Sequence, residues 1–238
     1  MEKKILFGYS VFSDELSAIN INKRHIINTI SPQCYGMAKK DKEYCVALKE
    51  SDVIVVDSYY YQLFSKIIEG IDVKRYYGFE VFEYFMEEMN KENKKVFFLG
   101  SKPRVISEMI SKTKMIYPNV NVAGYSPPYK SVFSEKDNEI MIKKINDFKP
   151  NILFVGLSAP KQEKWVNKQK EKINAPIMCS VGAVFEWYAG TQKKIHPLWF
   201  KLGLGWMVRI IQRPELLKRM SYVSLFFFDV FFLRLKSK

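Results

Sequence analysis

Asp57 is the residue whose chemistry is easiest to argue. It closes the run 52–57 (DVIVVD), a short β-branched segment of the kind that forms a buried strand. A carboxylate at the tip of such a strand is partly desolvated, which raises its pKa toward the range of a general base. The competing role is an N-cap for the next helix, since Asp is a favoured cap residue. Thr29 and Ser31 end an earlier apolar run. Their hydroxyls can exchange hydrogen bonds with a sugar, and an isolated pair of this kind also serves as a plain turn. In the segment 155–163 (VGLSAPKQE) a strand enters a Gly–small–Pro turn and then a helix start. Gly156 and Pro160 shape that turn, and the backbone N–H groups at the helix start, with Lys161 beside them, form a natural anion site. Gln162 can read an amide or a sugar hydroxyl. Proline at a helix start accounts for Pro160 alone; it does not require the Lys161, Gln162 and Glu163 that follow. Segment 180–190 (SVGAVFEWYAG) is a second strand-to-glycine turn at Gly182. Its Phe185, Trp187 and Tyr188 suit stacking on a base or sugar, or filling a core.

These residues need a scaffold, and the chain alternates strand and helix patterns. Strands are predicted at 4–11, 26–29, 52–56, 95–100, 120–124, 151–157 and 176–182. Helices are predicted at 32–49, 78–90, from 101 through 111, at 135–148 and at 161–172. The strands are continuously apolar, which argues for a parallel sheet covered on both faces, an α/β, Rossmann-like architecture. Ligands of such folds sit at the carboxyl ends of the strands. The candidate site residues are therefore Thr29, Asp57, Gly100, Gly124, Gly156 and Gly182. Near Thr191 the composition shifts, dividing the chain into a core over 1–190 and a basic, aromatic helical appendage over 191–238.

Charge sets that appendage apart. The 238 residues carry a formal net charge of +13. Between Gln192 and Lys238 there are ten basic and two acidic residues, beside the run 221–238 (SYVSLFFFDVFFLRLKSK). Basic charge next to apolar bulk points to an anionic membrane surface. Nucleic acid would use the charge but has no use for three consecutive phenylalanines. Residues 215–236, drawn as one helix, place Glu215, Lys218, Arg219, Asp229, Arg234 and Lys236 on one arc, which Phe226 and Leu233 interrupt, with the phenylalanines facing the acyl boundary. A buried helix with a solvated basic face is the alternative. No stretch reaches the roughly 20 apolar residues that span a bilayer, and the N-terminus lacks a signal peptide's apolar stretch. A cytoplasmic protein, peripheral on the inner face of the membrane, is the expectation.

Absent patterns narrow the chemistry. There is no GxGxxG, no P-loop and no GxSxG. Cys34, Cys45 and Cys179 have no metal-ligand spacing and read as reduced thiols, and two histidines are too few for a histidine-built metal site. No Asp-x-Asp ends a strand; Asp41-x-Glu43 and Asp137-x-Glu139 fall in or beside predicted helices. A leaving diphosphate would then be stabilised by Arg, Lys and backbone donors.

Taken in order, these residues resemble the WecG/TagA/CpsF glycosyltransferases (glycosyltransferase family 26). Thr29 stands at the threonine of that family's Thr-Pro-Asn turn, with Ser31 in place of its Asn. Asp57, 28 residues on, stands at the aspartate of its Asp-Gly turn, with Ser58 in place of the Gly. Arg75 and Gly78 fit its Arg-x-x-Gly. Leu99-Gly100 and Gly124-Tyr125 fit two further strand ends, and 155–163 is close to its most recognisable motif. Val181-Gly182, Phe185, Ala189-Gly190, Trp199, Gly203-Leu204, Trp206, Arg209, Pro214 and Arg219 follow its C-terminal pattern. Gly205, Arg213 and Leu216 depart from it, and Lys194-Ile-His-Pro197 only approximates its Arg-Ala-Pro.

The resemblance implies an inverting, metal-independent and cofactor-free transfer of an N-acetylmannosamine-type sugar. The donor would be a UDP-sugar and the acceptor a polyprenyl-diphosphate-linked GlcNAc-type saccharide, in surface polysaccharide or teichoic acid synthesis. In that reading Asp57 and Thr29 are catalytic. Ser31, Arg75, Gly100, Gly124, Tyr125, Gly156, Pro160, Lys161, Gln162, Glu163, Gly182 and Phe185 bind substrate. Arg209, Arg213, Lys218 and Arg219 meet diphosphate and membrane. Nucleic acid is not a partner, and self-association is left open. A paralogue that acts on a different UDP-sugar and acceptor, or only binds them, is the alternative favoured by Ser31, Ser58 and Gly205.

Overall fold

A computed structural model describes residues 1–193, 195, 196, 198, 199 and 202–236, with the side chains of the last helix described as far as Leu233. Lys194 and Pro197, at the two ends of the Arg-Ala-Pro-like segment, lie outside the described residues, as do the side chains of Arg234 and Lys236. The first strands are β1 (Lys3–Leu6), β2 (Tyr9–Phe12), β3 (His25–Ile30) and β4 (Val53–Val56). They are followed by β5 (Lys95–Gly100), β6 (Asn121–Tyr125), β7 (Ile152–Gly156) and β8 (Ile177–Ser180). Six of them form one sheet of order β4-β3-β8-β7-β5-β6, with parallel pairing of β3 to β8, β8 to β7, β7 to β5 and β5 to β6. Every residue of β4 and residues Ile152, Leu153, Phe154 and Val155 of β7 are buried, as strands covered on both faces must be. The α/β expectation holds.

The chain divides into two compact units. One comprises Met1–Ile19, Thr29–Tyr77 and Lys194–Lys238; the other comprises Asn20–Asn28 and Gly78–Lys193.

In the first unit, residues 4–11 make a hairpin where one strand was expected. Phe7 (φ 48°) and Gly8 (φ 82°) form its two-residue turn, and two successive positive φ angles are the signature of the type I′ turn that suits a hairpin's twist. The expected helix over 32–49 is two helices, α1 (Pro32–Lys40) and α2 (Lys42–Lys49). Asp41 breaks it, because its carboxylate accepts from the Tyr44 N–H at 3.0 Å and caps the second helix. Helix α3 (Tyr59–Glu69) follows β4, with Ser58 rather than Asp57 at its N-cap position, and stops at Gly70 in the left-handed conformation (φ 66°). Toward the C-terminus come α9 (Gly205–Gln212), a 3₁₀ segment (Pro214–Arg219) and α10 (Met220–Lys236). The single helix drawn over 215–236 is thus two elements that turn by different angles per residue.

That difference reverses the role of Asp229. It leaves the solvated arc and accepts from the Tyr35 hydroxyl at 2.7 Å and the Lys39 ammonium at 2.5 Å, both on α1. Burial, and then the Asp229 hydrogen bond, push the Tyr35 phenol well above its ordinary value. Phe226, fully buried, lies among Phe7, Tyr35, Tyr61 and Phe64 at centroid distances of 5.3, 5.4, 5.3 and 6.2 Å. Gly36 lets the helices approach: a Cβ there would stand 1.9 Å from the Tyr222 carbonyl oxygen. One face of α10 is therefore core, while Phe228, Phe231 and Phe232 stay exposed.

The second unit carries α4 (Gly78–Lys91), α5 (Pro103–Ile116), α6 (Glu135–Phe148), α7 (Lys161–Gln169) and α8 (Val184–Ala189). Its core includes Phe97, Leu99, Met141, Ile145, Leu153 and Trp165. Helix α6 begins with a reciprocal capping box between Ser134 and Asp137. Lys130, first, and then Ser134 hold the Asp137 carboxyl down at about 2, against an ordinary 3.8. A depressed folded-state pKa stabilises the fold above the unfolded value and loses that contribution as pH falls through the folded one. The melting-temperature advantage of the wild type over Asp137→Asn is accordingly expected to hold above pH 3.8 and to shrink toward about pH 2. A pH-independent offset in thermal scans would contradict this.

Candidate active site

The first unit contains a cavity of about 300 Å³. Four expected site residues line it: Ser31, Asp57, Arg209 and Arg219. Asp57 follows the last residue of β4, and its N–H donates to the Ile30 carbonyl at 2.9 Å, which ties its backbone to the end of β3. Ser58 is the N-cap residue of α3, so Asp57 stands one position before it. Ser31 caps α1: its hydroxyl accepts from the Cys34 N–H at 3.3 Å and lies 3.2 Å from the Cys34 sulfur. Serine can replace asparagine here because both are good caps.

Arg209 comes from α9 and Arg219 from the end of the 3₁₀ segment. The rest of the wall is largely apolar, with Trp206, Ile210, Leu216, Met220, Val223 and Phe227 among its members. A carboxylate, two guanidinium groups and a hydrocarbon wall in one concavity can accept a proton, meet phosphate oxygens and hold an alkyl chain.

The other expected residues of this unit are not among those lining the cavity. Thr29 is half-buried in β3. Arg213 is engaged locally, its Nε donating to Glu215 at 2.9 Å, and Lys218 is exposed. Arg75 pairs through its backbone with Val56, next to Asp57. Its guanidinium carbon lies 4.7 Å from the Tyr77 ring centroid and 5.6 Å from that of Tyr59.

The second unit gathers a different set at the carboxyl ends of β5, β7 and β8. Gly100 (φ 128°) must be glycine, since a Cβ there would meet the Gly156 carbonyl at 2.5 Å. Gly156 must be small, since its Cβ would meet the Phe185 ring at 2.5 Å. Ser101 (φ 53°), Ser158 (φ 66°) and Gly182 (φ 56°) hold left-handed backbone in the same turns. For a non-glycine residue that conformation costs free energy and tends to cluster at functional sites. Gln162 is buried: its Nε2 donates to Glu163 at 2.9 Å, and its Oε1 has no hydrogen-bond partner among the described residues. Glu163 is buried beside it. The Ala159–Pro160 bond is cis.

Lys161 donates to the Lys130 carbonyl and lies 3.6 Å from the Phe133 ring centroid; burial lowers its pKa. Gly124 packs on Ile106, and Tyr125 lies under the Lys144 ammonium at 5.0 Å. Phe185 is wholly buried against Phe98, and Trp187 and Tyr188 are buried as well, so these aromatics shape the turn from inside.

Sequence reasoning missed several participants. Glu186, exposed only in part, accepts from the Ser101 hydroxyl at 2.9 Å. Tyr59, Tyr60, Tyr77 and Phe227 line the cavity. Gly36 was the one legible signal among those missed: a glycine inside a helical pattern usually has a packing reason. Among the described residues, no group of three or more His, Cys, Asp and Glu side chains is placed to hold a metal ion, and no helix is long and apolar enough to cross a membrane.

A model of the glycosyl transferase WecG/TagA/CpsF family matches residues 9–238. The chain is 30% identical over 195 residues to an N-acetylglucosaminyldiphosphoundecaprenol N-acetyl-beta-D-mannosaminyltransferase of Bacillus subtilis, covering 82% of this chain and 74% of that protein. It is 28% identical over 206 residues to the protein of the same name from Bacillus spizizenii, covering 87% and 78%. Its identity to the one from Staphylococcus aureus strain MW2 is 24% over 204 residues, covering 86% and 78%. With a family match spanning nearly the whole chain, this protein belongs to the WecG/TagA/CpsF family of glycosyltransferases.

Proposed function

We propose that the chain moves an N-acetylmannosamine-type sugar from a UDP-sugar to a polyprenyl-diphosphate-linked GlcNAc-type acceptor, with inversion and without a metal. The observation that carries this reading is the cavity that combines Asp57, Arg209 and Arg219 with a hydrocarbon wall. Asp57 takes the proton of the acceptor hydroxyl. That oxygen bonds to the anomeric carbon as the bond to the UDP β-phosphate oxygen breaks on the opposite face. Arg209 and Arg219 neutralise diphosphate charge, Arg75 adds a third cation, and Ser31 and Thr29 orient sugar hydroxyls. Trp206, Ile210, Leu216, Met220, Val223 and Phe227 take the first prenyl units. The strand-end turns of the second unit offer polar groups of their own for substrate, among them the buried Gln162 Oε1, which can accept from a ligand N–H or O–H. The relatives' names, which specify this donor sugar and acceptor, support the same reading.

The exposed Phe228, Phe231 and Phe232, with Lys218 and Arg213 nearby in sequence, rest on the anionic inner face of the membrane where such an acceptor resides. Replacing those three phenylalanines with serine is expected to cut binding to anionic vesicles at least tenfold by sedimentation, since each buried ring contributes roughly 1.5–3 kcal/mol. Unchanged sedimentation would remove the anchoring role. The reaction itself is tested by UDP release from a panel of UDP-sugars, with and without a short polyprenyl-diphosphate-GlcNAc analogue. Release that depends on the analogue is expected; release without it, or with none of the donors, would overturn the proposal.

A further inference from the structure

We propose that Tyr59 is a positioning residue that holds the Arg75 guanidinium in place for a substrate phosphate. The inference rests on the cavity being the acceptor-diphosphate site. Arg75 Nη1 is buried and has no hydrogen-bond partner among the described residues. A buried, unpaired charged donor is costly, and an anionic oxygen from a ligand would relieve that cost. Two rings hold the group meanwhile, Tyr77 at 4.7 Å and Tyr59 at 5.6 Å. Both tyrosines also line the cavity, so the charge stands directly behind its wall.

Tyr59 is itself braced. Gly203, in the left-handed conformation (φ 74°), lies so close that a Cβ there would meet Tyr59 Cδ1 at 2.9 Å. Tyr60 packs edge-on at 5.6 Å and passes the contact to Phe227 at 5.9 Å. The residue after Ser58 therefore does a job that the neighbouring hydroxyls do not: its ring face attracts a cation through its quadrupole, and its position is fixed from the other side by a glycine that admits nothing larger.

The test uses the full chain with farnesyl diphosphate as probe, titrated by calorimetry at one salt concentration. Tyr59→Leu is expected to weaken binding roughly 3- to 30-fold, the range of a cation–π contact from exposed to desolvated. Tyr59→Phe keeps the ring and should keep most of the affinity. In an Arg75→Met background, Tyr59→Leu should change affinity by less than about twofold, because the two residues act as one unit. Equal losses in both backgrounds would overturn the inference, as would a Tyr59→Phe loss as large as that of Tyr59→Leu, which would assign the effect to the hydroxyl. Should the leucine variant fail to fold, Tyr59→Met, of similar reach without a ring, carries the same expectations. A wild type that does not bind the probe would instead bring down the acceptor-site reading, and this inference with it.

Discussion

Asp57→Asn is expected to leave the fold intact and to lower turnover by roughly 10²-fold or more. The substitution is nearly isosteric. It keeps the backbone hydrogen bond from residue 57 to Ile30, which ties the end of β4 to the end of β3. What it removes is the ability to take a proton. The amide can still receive a hydrogen bond from the acceptor hydroxyl, so the loss should fall on kcat more than on KM. Thermal unfolding close to that of the wild type, with turnover reduced by that factor, is the expected pair of results. Near-normal turnover would take Asp57 out of the mechanism. A matching fall in stability would reassign it to holding the strand end.

Gly36→Ala is expected to do comparable damage by a different route. The added Cβ would sit 1.9 Å from the Tyr222 carbonyl oxygen, 2.6 Å from its carbon and 2.8 Å from its Cα. All three are backbone atoms, so no side-chain rotation relieves the clash and α10 must move away from α1. Displacing that helix pulls Phe226 from its aromatic socket, where losing a buried phenylalanine costs about 3–5 kcal/mol. It also strains the Asp229 contacts to Tyr35 and Lys39. The same helix supplies Met220, Val223 and Phe227 to the cavity, and a displacement of about 1 Å in a positioned site can cost on the order of 10²-fold in rate. Turnover should fall by that factor, and trypsin should cut after Lys218 and Arg219 faster than in the wild type. An alanine variant with normal turnover and normal protease resistance would show that the helices are not packed this closely.

The sheet was legible because buried parallel strands are continuous apolar runs, as at 53–56 and through most of 151–157. Asp57 was legible for the same reason, being the first polar residue after such a run. The hairpin at 4–11 was not, because Phe7 at a positive φ has no local sequence signal; only the Gly8 after it hints at a turn. Helix α3 was obscured by three tyrosines, which favour strands as readily as helices. The appendage was legible as basic and aromatic, but not in how its faces divide. Which phenylalanines are core and which exposed depends on Gly36 and the partners on α1, contacts 190 residues apart in the case of Lys39 and Asp229. Residues from such distant segments meet only in the folded chain, so the cavity wall could not be read along the sequence.

The most direct measurement is the anomeric configuration of the product, read by NMR. The purified chain would be incubated with UDP-N-acetylmannosamine and a soluble polyprenyl-diphosphate-GlcNAc analogue, with EDTA present. The account predicts a lipid-linked disaccharide whose new linkage is inverted relative to the donor, formed by a single displacement that Asp57 assists. No disaccharide, or one that retains the donor's configuration, would contradict it.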